Sequence, residues 1–386
     1  MKRYIKTFSY FISILCFVIC TVSPSYLSYA QDELTQEGYD EVLEQYDLSA
    51  FDELDEDSKK LLDELGLTDF DYNTIVDFSF SEFFSTLKDT VLNSASGPLE
   101  GCAVILLIIL LSALFQSFKE TVNDSQMASV LSTVSAVIVA LILISRIRFT
   151  ISASCSAISV CADFVYAFIP AFCVIVAASG NTVAAFSTNT LLLSLAQILN
   201  FISKNIFIPL SNCFLALGIC SGIRNELNLG AFISNMKKYL TTAISVCATA
   251  FVSILSIKTA VAARADAIGL RSVRFAINSV VPVIGGVISE GLLSIQAYSS
   301  LIRSSVGVVG IIAVALVFLP SILEVTFWRL FLSLCSTVSE IFSDRSVSSV
   351  IKAFTDALLI MNVILILSMV TTVISIGILI AARGSA

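Results

Sequence analysis

Between Pro98 and Ala382 the chain is a succession of apolar blocks, each close to the 20 or so residues that a helix needs to cross about 30 Å of hydrocarbon. The candidate spans are Pro98–Phe118, Ala128–Ser145, Ser152–Ala178, Thr182–Ile202, Ile206–Ile223, Leu240–Ile257, Val306–Leu323 and Ala353–Ala382. Val325–Phe342 is a less regular candidate because it carries Arg329 and Glu340, and Leu227 to Tyr239 reads as a short interfacial helix. Only 13% of the residues are charged, where a soluble chain of this length would carry about a quarter. The expected fold is all-α, a polytopic helical membrane protein with about seven to nine membrane segments. A signal peptide and an acidic extracytoplasmic segment precede them.

Residues 1–30 read as that signal. Lys2, Arg3 and Lys6 form a basic start, Phe8 to Val22 an apolar centre, and Ser28-Tyr29-Ala30 a small-x-small cleavage site. An uncleaved first span is the alternative, and both put residue 31 outside the cytoplasm. Residues 31–94 form the acidic segment: nineteen of the thirty acids lie between Asp32 and Asp89, against Lys59, Lys60 and Lys88. Leu43, Tyr46, Phe51, Leu54, Leu61, Leu62 and Leu65 recur there at roughly helical spacing, so short helices or disorder are expected, as a solvated spacer or as a segment that orders on a partner. Calcium binding is the weaker reading, since the D-x-D-x-D-G loop is missing.

The remainder divides into a first group of membrane helices (95–258), a charged segment (259–305) and C-terminal membrane helices (306–386). From Val91 onward the chain holds sixteen basic and eleven acidic residues, so the body is mildly basic. If every candidate crosses, Arg146, Arg148, Lys258, Arg264, Arg271 and Arg274 fall outside, against the positive-inside rule. A re-entrant 259–305 segment relieves part of this conflict. Pro282 and Gly285-Gly286 would break a helix there, and broken backbone at depth is tolerated only where protein or a water-filled cavity shields it.

Arg264, Arg271 and Arg274 share a helical face, with Asp266 beside them. They suit either anionic lipid headgroups or a docking or pore-lining stripe. Asp163 and Arg329 are the polar residues expected within the membrane, where ionisable groups tend to mark function; an interfacial, hydrated Asp163 is the plain alternative. Lys352 and Asp356 stand four apart and can neutralise one another on a helix, whereas Arg329 reaches Glu324 or Glu340 only through tertiary contacts. Gly218-x-x-x-Gly222 permits close helix packing. The ten cysteines avoid the acidic segment and form no C-x-x-C, so they read as packing residues and not as a zinc site. With no histidine, P-loop, H-E-x-x-H, nucleophile elbow or dinucleotide fingerprint, no catalytic, cofactor or metal residues are assigned and an enzyme is not expected. No exposed basic, aromatic-rich segment suggests nucleic acid.

The stretch Asp266-Ala267-Ile268-Gly269-Leu270-Arg271-Ser272-Val273-Arg274-Phe275, then Val281-Pro282-Val283-Ile284-Gly285, resembles the stage III sporulation protein AE family. So does the order of signal, acidic segment and polytopic body, with Val306-Gly307-Val308-Val309-Gly310 opening a late span. Ala267 stands where the family pattern has glycine, and Asn278-Ser279 where it has Gly-Asn. The resemblance implies a multi-pass protein of the mother-cell membrane that surrounds the forespore in Gram-positive endospore formers. It implies a platform, export-gate or channel subunit of a secretion-like transenvelope complex. The implied partners are a secretion-type ATPase, ring-forming proteins and a forespore membrane protein across the intermembrane space, besides membrane lipid and further copies of the chain. A secondary transporter with helices interrupted at Pro170, Pro209 and Pro282 is the alternative, and a scaffold that conducts nothing is the third.

Overall fold

The structure is a computed structural model that describes residues 36–64, 80–122, 125–178, 201–223, 231–251, 285–342 and 345–381, with isolated helical positions between 191 and 199 and at 253, 254 and 257. The signal, the arginine face Arg264–Arg271–Arg274, Asp266 and Pro282 lie outside the described residues. Everything regular among the described residues is helical. Three short elements come first: α1 (Gln36–Leu43), a 3-10 turn (Ser49–Glu53) and α2 (Glu56–Glu64). Then follow α3 (Phe80–Val122), α4 (Ser125–Ala178), a π-turn (Ser203–Phe207) leading into α5 (Ile208–Ile223), α6 (231–251), α7 (Gly285–Ile341) and α8 (Arg345–Ala381).

Among the described residues five stretches are long and apolar enough to cross a membrane: Thr90–Leu114, Ser132–Ala178, Ser203–Ile223, Tyr298–Ile341 and Ser346–Gly377. Thr182–Ile202 and the end of Leu240–Ile257 lie largely outside the described residues, and elsewhere blocks fuse. Ala128–Ser145 and Ser152–Ala178 are one helix of 54 residues, and Val306–Leu323 and Val325–Phe342 lie in one helix of 57. Nothing between Ser145 and Ser152 is a glycine or proline, so the charged pair Arg146 and Arg148 does not end the helix. The expected boundary between an interfacial helix and a span at Leu240 is also absent, since α6 runs through it. Gly285 and Gly286 open α7 and interrupt nothing within it.

The many Ser and Thr residues are accommodated by back-bonding to the preceding turn. Ser154 Oγ donates to the Thr150 carbonyl at 2.8 Å, and Ser375 Oγ to the Thr371 carbonyl at 2.8 Å. Pro98, Pro170 and Pro320 all lie inside continuous helices. Pro209 is different. It follows the π-turn, whose extra residue per turn relieves the contact between a proline ring and the carbonyl four residues back, here that of Asn205.

α7 is the central helix and packs on α3, α4 and α8. Of its most apolar stretch 78% is buried, against 33% for α3 and 28% for the π-turn and α5. Small residues set the closest approaches. Gly101 faces the Trp328 ring, where a Cβ would come within 2.3 Å of it. A Cβ on Gly218 would lie 2.5 Å from that of Ala353, and one on Gly222 2.9 Å from the backbone nitrogen of Val350, so the spaced glycines of α5 are the seat of α8. The thiols of Cys102 and Cys335 meet at 3.0 Å between α3 and α7, and all eight described cysteines are free.

A ladder of Phe164, Phe168 and Phe172, with successive ring centroids 5.0 and 5.1 Å apart, runs along the second half of α4. Gly310 and Gly307 of α7 open a notch for it, Gly310 against Phe168 and Gly307 against Phe172 and Ile380. The acidic segment docks on this ladder. Phe51 sets its ring edge-on to Phe164 and Phe168 at 5.4 and 5.5 Å, and the Tyr46 hydroxyl meets Ser299 Oγ at 3.1 Å. Ala50, Leu54 and Leu62 are buried. Residues 36–64 of the segment thus pack on helices of their own chain. Its turn is fixed locally: the Ser49 N–H donates to Asp47 Oδ1 at 3.0 Å, and the Ser49 hydrogen bonds hold that carboxyl below the usual carboxylate range.

Candidate functional site: a polar belt across the apolar bundle

The bundle carries a belt of polar contacts that joins five helices at one height. Thr150 of α4 donates its hydroxyl to Glu324 Oε1 of α7 at 2.7 Å. Two residues on, Thr326 Oγ1 accepts from Asn362 Nδ2 of α8 at 2.8 Å. Asp356, six residues before Asn362, is the partner of Lys237 on α6. Arg146, one turn before Thr150, lies 3.8 Å from Glu100 of α3. Arg329 is buried on α7, five residues after Glu324. Each step along this chain is a direct contact or a shift of less than two helical turns, roughly 9 Å at 1.5 Å per residue, so the groups form one layer.

Towards the turn between α7 and α8 a second cluster follows. Glu340 pairs with Lys352 and accepts from Ser348 Oγ at 3.1 Å, and the Ser348 and Ser336 hydroxyls meet at 3.2 Å. Polar groups among apolar helices are stable only when a partner replaces water. Here Glu100 with Arg146, Asp356 with Lys237 and Glu340 with Lys352 are opposite pairs from different helices, which ties the helices together and fixes their register.

These contacts revise one sequence expectation. Lys352 and Asp356 do not neutralise one another: Lys352 turns to Glu340 and Asp356 to Lys237, because partners on neighbouring helices draw the two side chains apart. Asp163 is not part of the belt; it stands exposed on α4 beside the buried Phe164. The interruption expected at Pro170 is absent, and that at Pro209 is a π-turn. Sequence reasoning missed Thr150, Lys237, Thr326 and Asn362. Asn362 and Lys237 had a signal, as isolated strong polar groups in apolar helical runs, but partners separated by 36 and 119 residues leave no local pattern. Among the described residues no group of three or more His, Cys, Asp or Glu side chains is arranged to hold a metal ion.

Among the described residues, an all-helical bundle with five helices able to cross a membrane and a polar belt between them defines a multi-pass helical membrane protein. The family model for stage III sporulation protein AE matches residues 68–383, and the chain belongs to that family. It is 25% identical over 228 residues to the stage III sporulation protein AE of Bacillus subtilis (strain 168), an alignment covering 59% of this chain and 56% of that relative. No solved structure matches.

Proposed function

We propose that this protein is a non-enzymatic integral membrane component of the sporulation complex that links the mother cell to the forespore, acting as its platform, export-gate or channel subunit. The family match over the whole helical body carries this reading. The partners are those the resemblance implies, a secretion-type ATPase, ring-forming proteins and a forespore membrane protein, and the acidic segment faces away from the cytoplasm. The belt supports a subunit that holds helices in a fixed register. A transporter of small solutes is less well supported, since α4 runs unbroken through Pro170. The function of the segment around Arg271 and Arg274 is tested by reversing both charges, Arg271→Glu with Arg274→Glu. The expected outcome is a block in sporulation after engulfment with normal amounts of protein in the membrane. A wild-type spore yield would contradict the assignment.

A further inference from the structure

Cys102 of α3 and Cys335 of α7 stand 233 positions apart in the chain, yet their sulfurs meet at 3.0 Å. The two thiols also cross the seam between the helices. Cys102 Sγ points to the Phe331 carbonyl of α7 at 3.8 Å, and Cys335 Sγ to the Cys102 carbonyl of α3 at 3.9 Å. Each side chain leans onto the opposite helix. That is the orientation a bridge demands, because cysteines whose side chains diverge cannot be joined without moving backbone. The sulfurs need to close by only about 1 Å to bond.

The backbones around the pair are held close. A Cβ on Gly101, the residue before Cys102, would come within 2.3 Å of the Trp328 ring. Trp328 and Cys335 are seven apart on α7, on one helical face, and both are buried. Both helices run unbroken through the contact.

Other described cysteines are placed differently. Cys161 turns its thiol to Thr372 Oγ1 at 3.5 Å, and Cys213 and Cys220 are exposed on α5. A buried cysteine that only fills space needs no second sulfur beside it. The pair is also asymmetric: Cys102 is 6% exposed and Cys335 0%, so a small oxidant meets Cys102 first.

We propose that Cys102 and Cys335 form a redox-sensitive clasp between α3 and α7, closed by a small peroxide. The Cys102 thiolate attacks one peroxide oxygen. The S–O bond forms, the O–O bond breaks, and the leaving hydroxide takes up the Cys102 proton as water. Cys335 then attacks the Cys102 sulfur. The S–S bond forms, the S–O bond breaks, and hydroxide leaves with the Cys335 proton as a second water. Two thiols lose two protons and two electrons, and hydrogen peroxide is reduced to two waters. The closed bond ties α3, of whose apolar stretch 33% is buried, to the central helix, of whose stretch 78% is buried. Burial also shields the bond, since a reducing thiolate must reach one of its sulfurs to open it.

The full-length protein, in the membranes of the producing cells, is treated with hydrogen peroxide at doses that oxidise the exposed Cys213 and Cys220. It is then denatured in excess N-ethylmaleimide, digested without reductant and read by mass spectrometry. A cross-linked peptide pair joining Cys102 to Cys335 is expected, formed at least about tenfold faster than Cys161 and Cys173 lose their reactivity to maleimide. The bond closes a long loop, so the midpoint of thermal aggregation should rise by at least about 3 °C, an increase missing from the Cys102→Ser protein. In Cys335→Ser, which removes only the second thiol, Cys102 should run on to the sulfinic acid, a gain of two oxygen atoms. Cys102 and Cys335 both still open to maleimide at these doses would overturn the proposal, as would a bridge from Cys102 to any other cysteine. A Cys102 that stays reduced in Cys335→Ser contradicts its part as the attacking thiol.

Discussion

From Val130 to Phe149 α4 turns apolar side chains outward, and from Ile151 to Ala178 it turns the same kinds of side chain inward against α7, α8 and the acidic segment. Hydropathy does not distinguish the two halves, because each is rich in Ile and Val and each reads as a span. Their neighbours do. Immersing even six carboxylates of the acidic segment in hydrocarbon would cost about 15 kcal/mol on the mildest insertion scale, as much as the whole stability of a typical domain. That difference teaches that hydropathy reports the need for apolar surroundings and leaves open whether lipid or protein supplies them.

Truncations along α4 break or sharpen the contrast. Phe168→Ala should cost most, about 3–5 kcal/mol, because the ring is buried between Phe164, Phe172, Phe51 and the Gly310 notch. Leu141→Ala, on a side chain 62% exposed, should cost under about 0.5 kcal/mol in detergent. Thermal aggregation of the purified proteins reads both, and similar losses at the two positions would erase the distinction. Next in size is Thr150→Val at the belt. It deprives the Glu324 carboxylate of its 2.7 Å hydroxyl donor and should cost about 1–3 kcal/mol, read in the same assay. Phe51→Ala should loosen the acidic segment alone by about 2 kcal/mol, seen as a roughly 30-fold faster proteolysis between residues 36 and 64 with the helical body intact. The smallest effect belongs to Lys352→Met, within about 1 kcal/mol, because the Lys352–Glu340 pair is more than half exposed.

Helical class, apolar blocks and the spaced glycines of α5 were legible in the sequence, because each depends on residues close together along the chain. Gly218 and Gly222 show this well: their spacing announces a packing face, although not that Val350 and Ala353 would fill it. Helix continuity was misread for a physical reason. Arg146 and Arg148 suggested a loop only on the assumption that a span ends after about 20 residues; arginine is a good helix former, and no breaker lies nearby. The belt was illegible because its partners meet across distances such as Thr150 to Glu324, and an i, i+4 pair such as Lys352 and Asp356 gives no warning that other helices compete for both ends. The acidic segment carried its apolar positions openly, but the sequence does not say that Phe51 would find Phe164 and Phe168 of the same chain.

The most direct measurement is a double-mutant cycle between Phe51→Ala and Phe168→Ala, read by thermal aggregation of the purified proteins. The account predicts losses that overlap, with a coupling of about 0.5–1.5 kcal/mol, because the two rings meet edge-on at 5.5 Å. Strictly additive losses would contradict it.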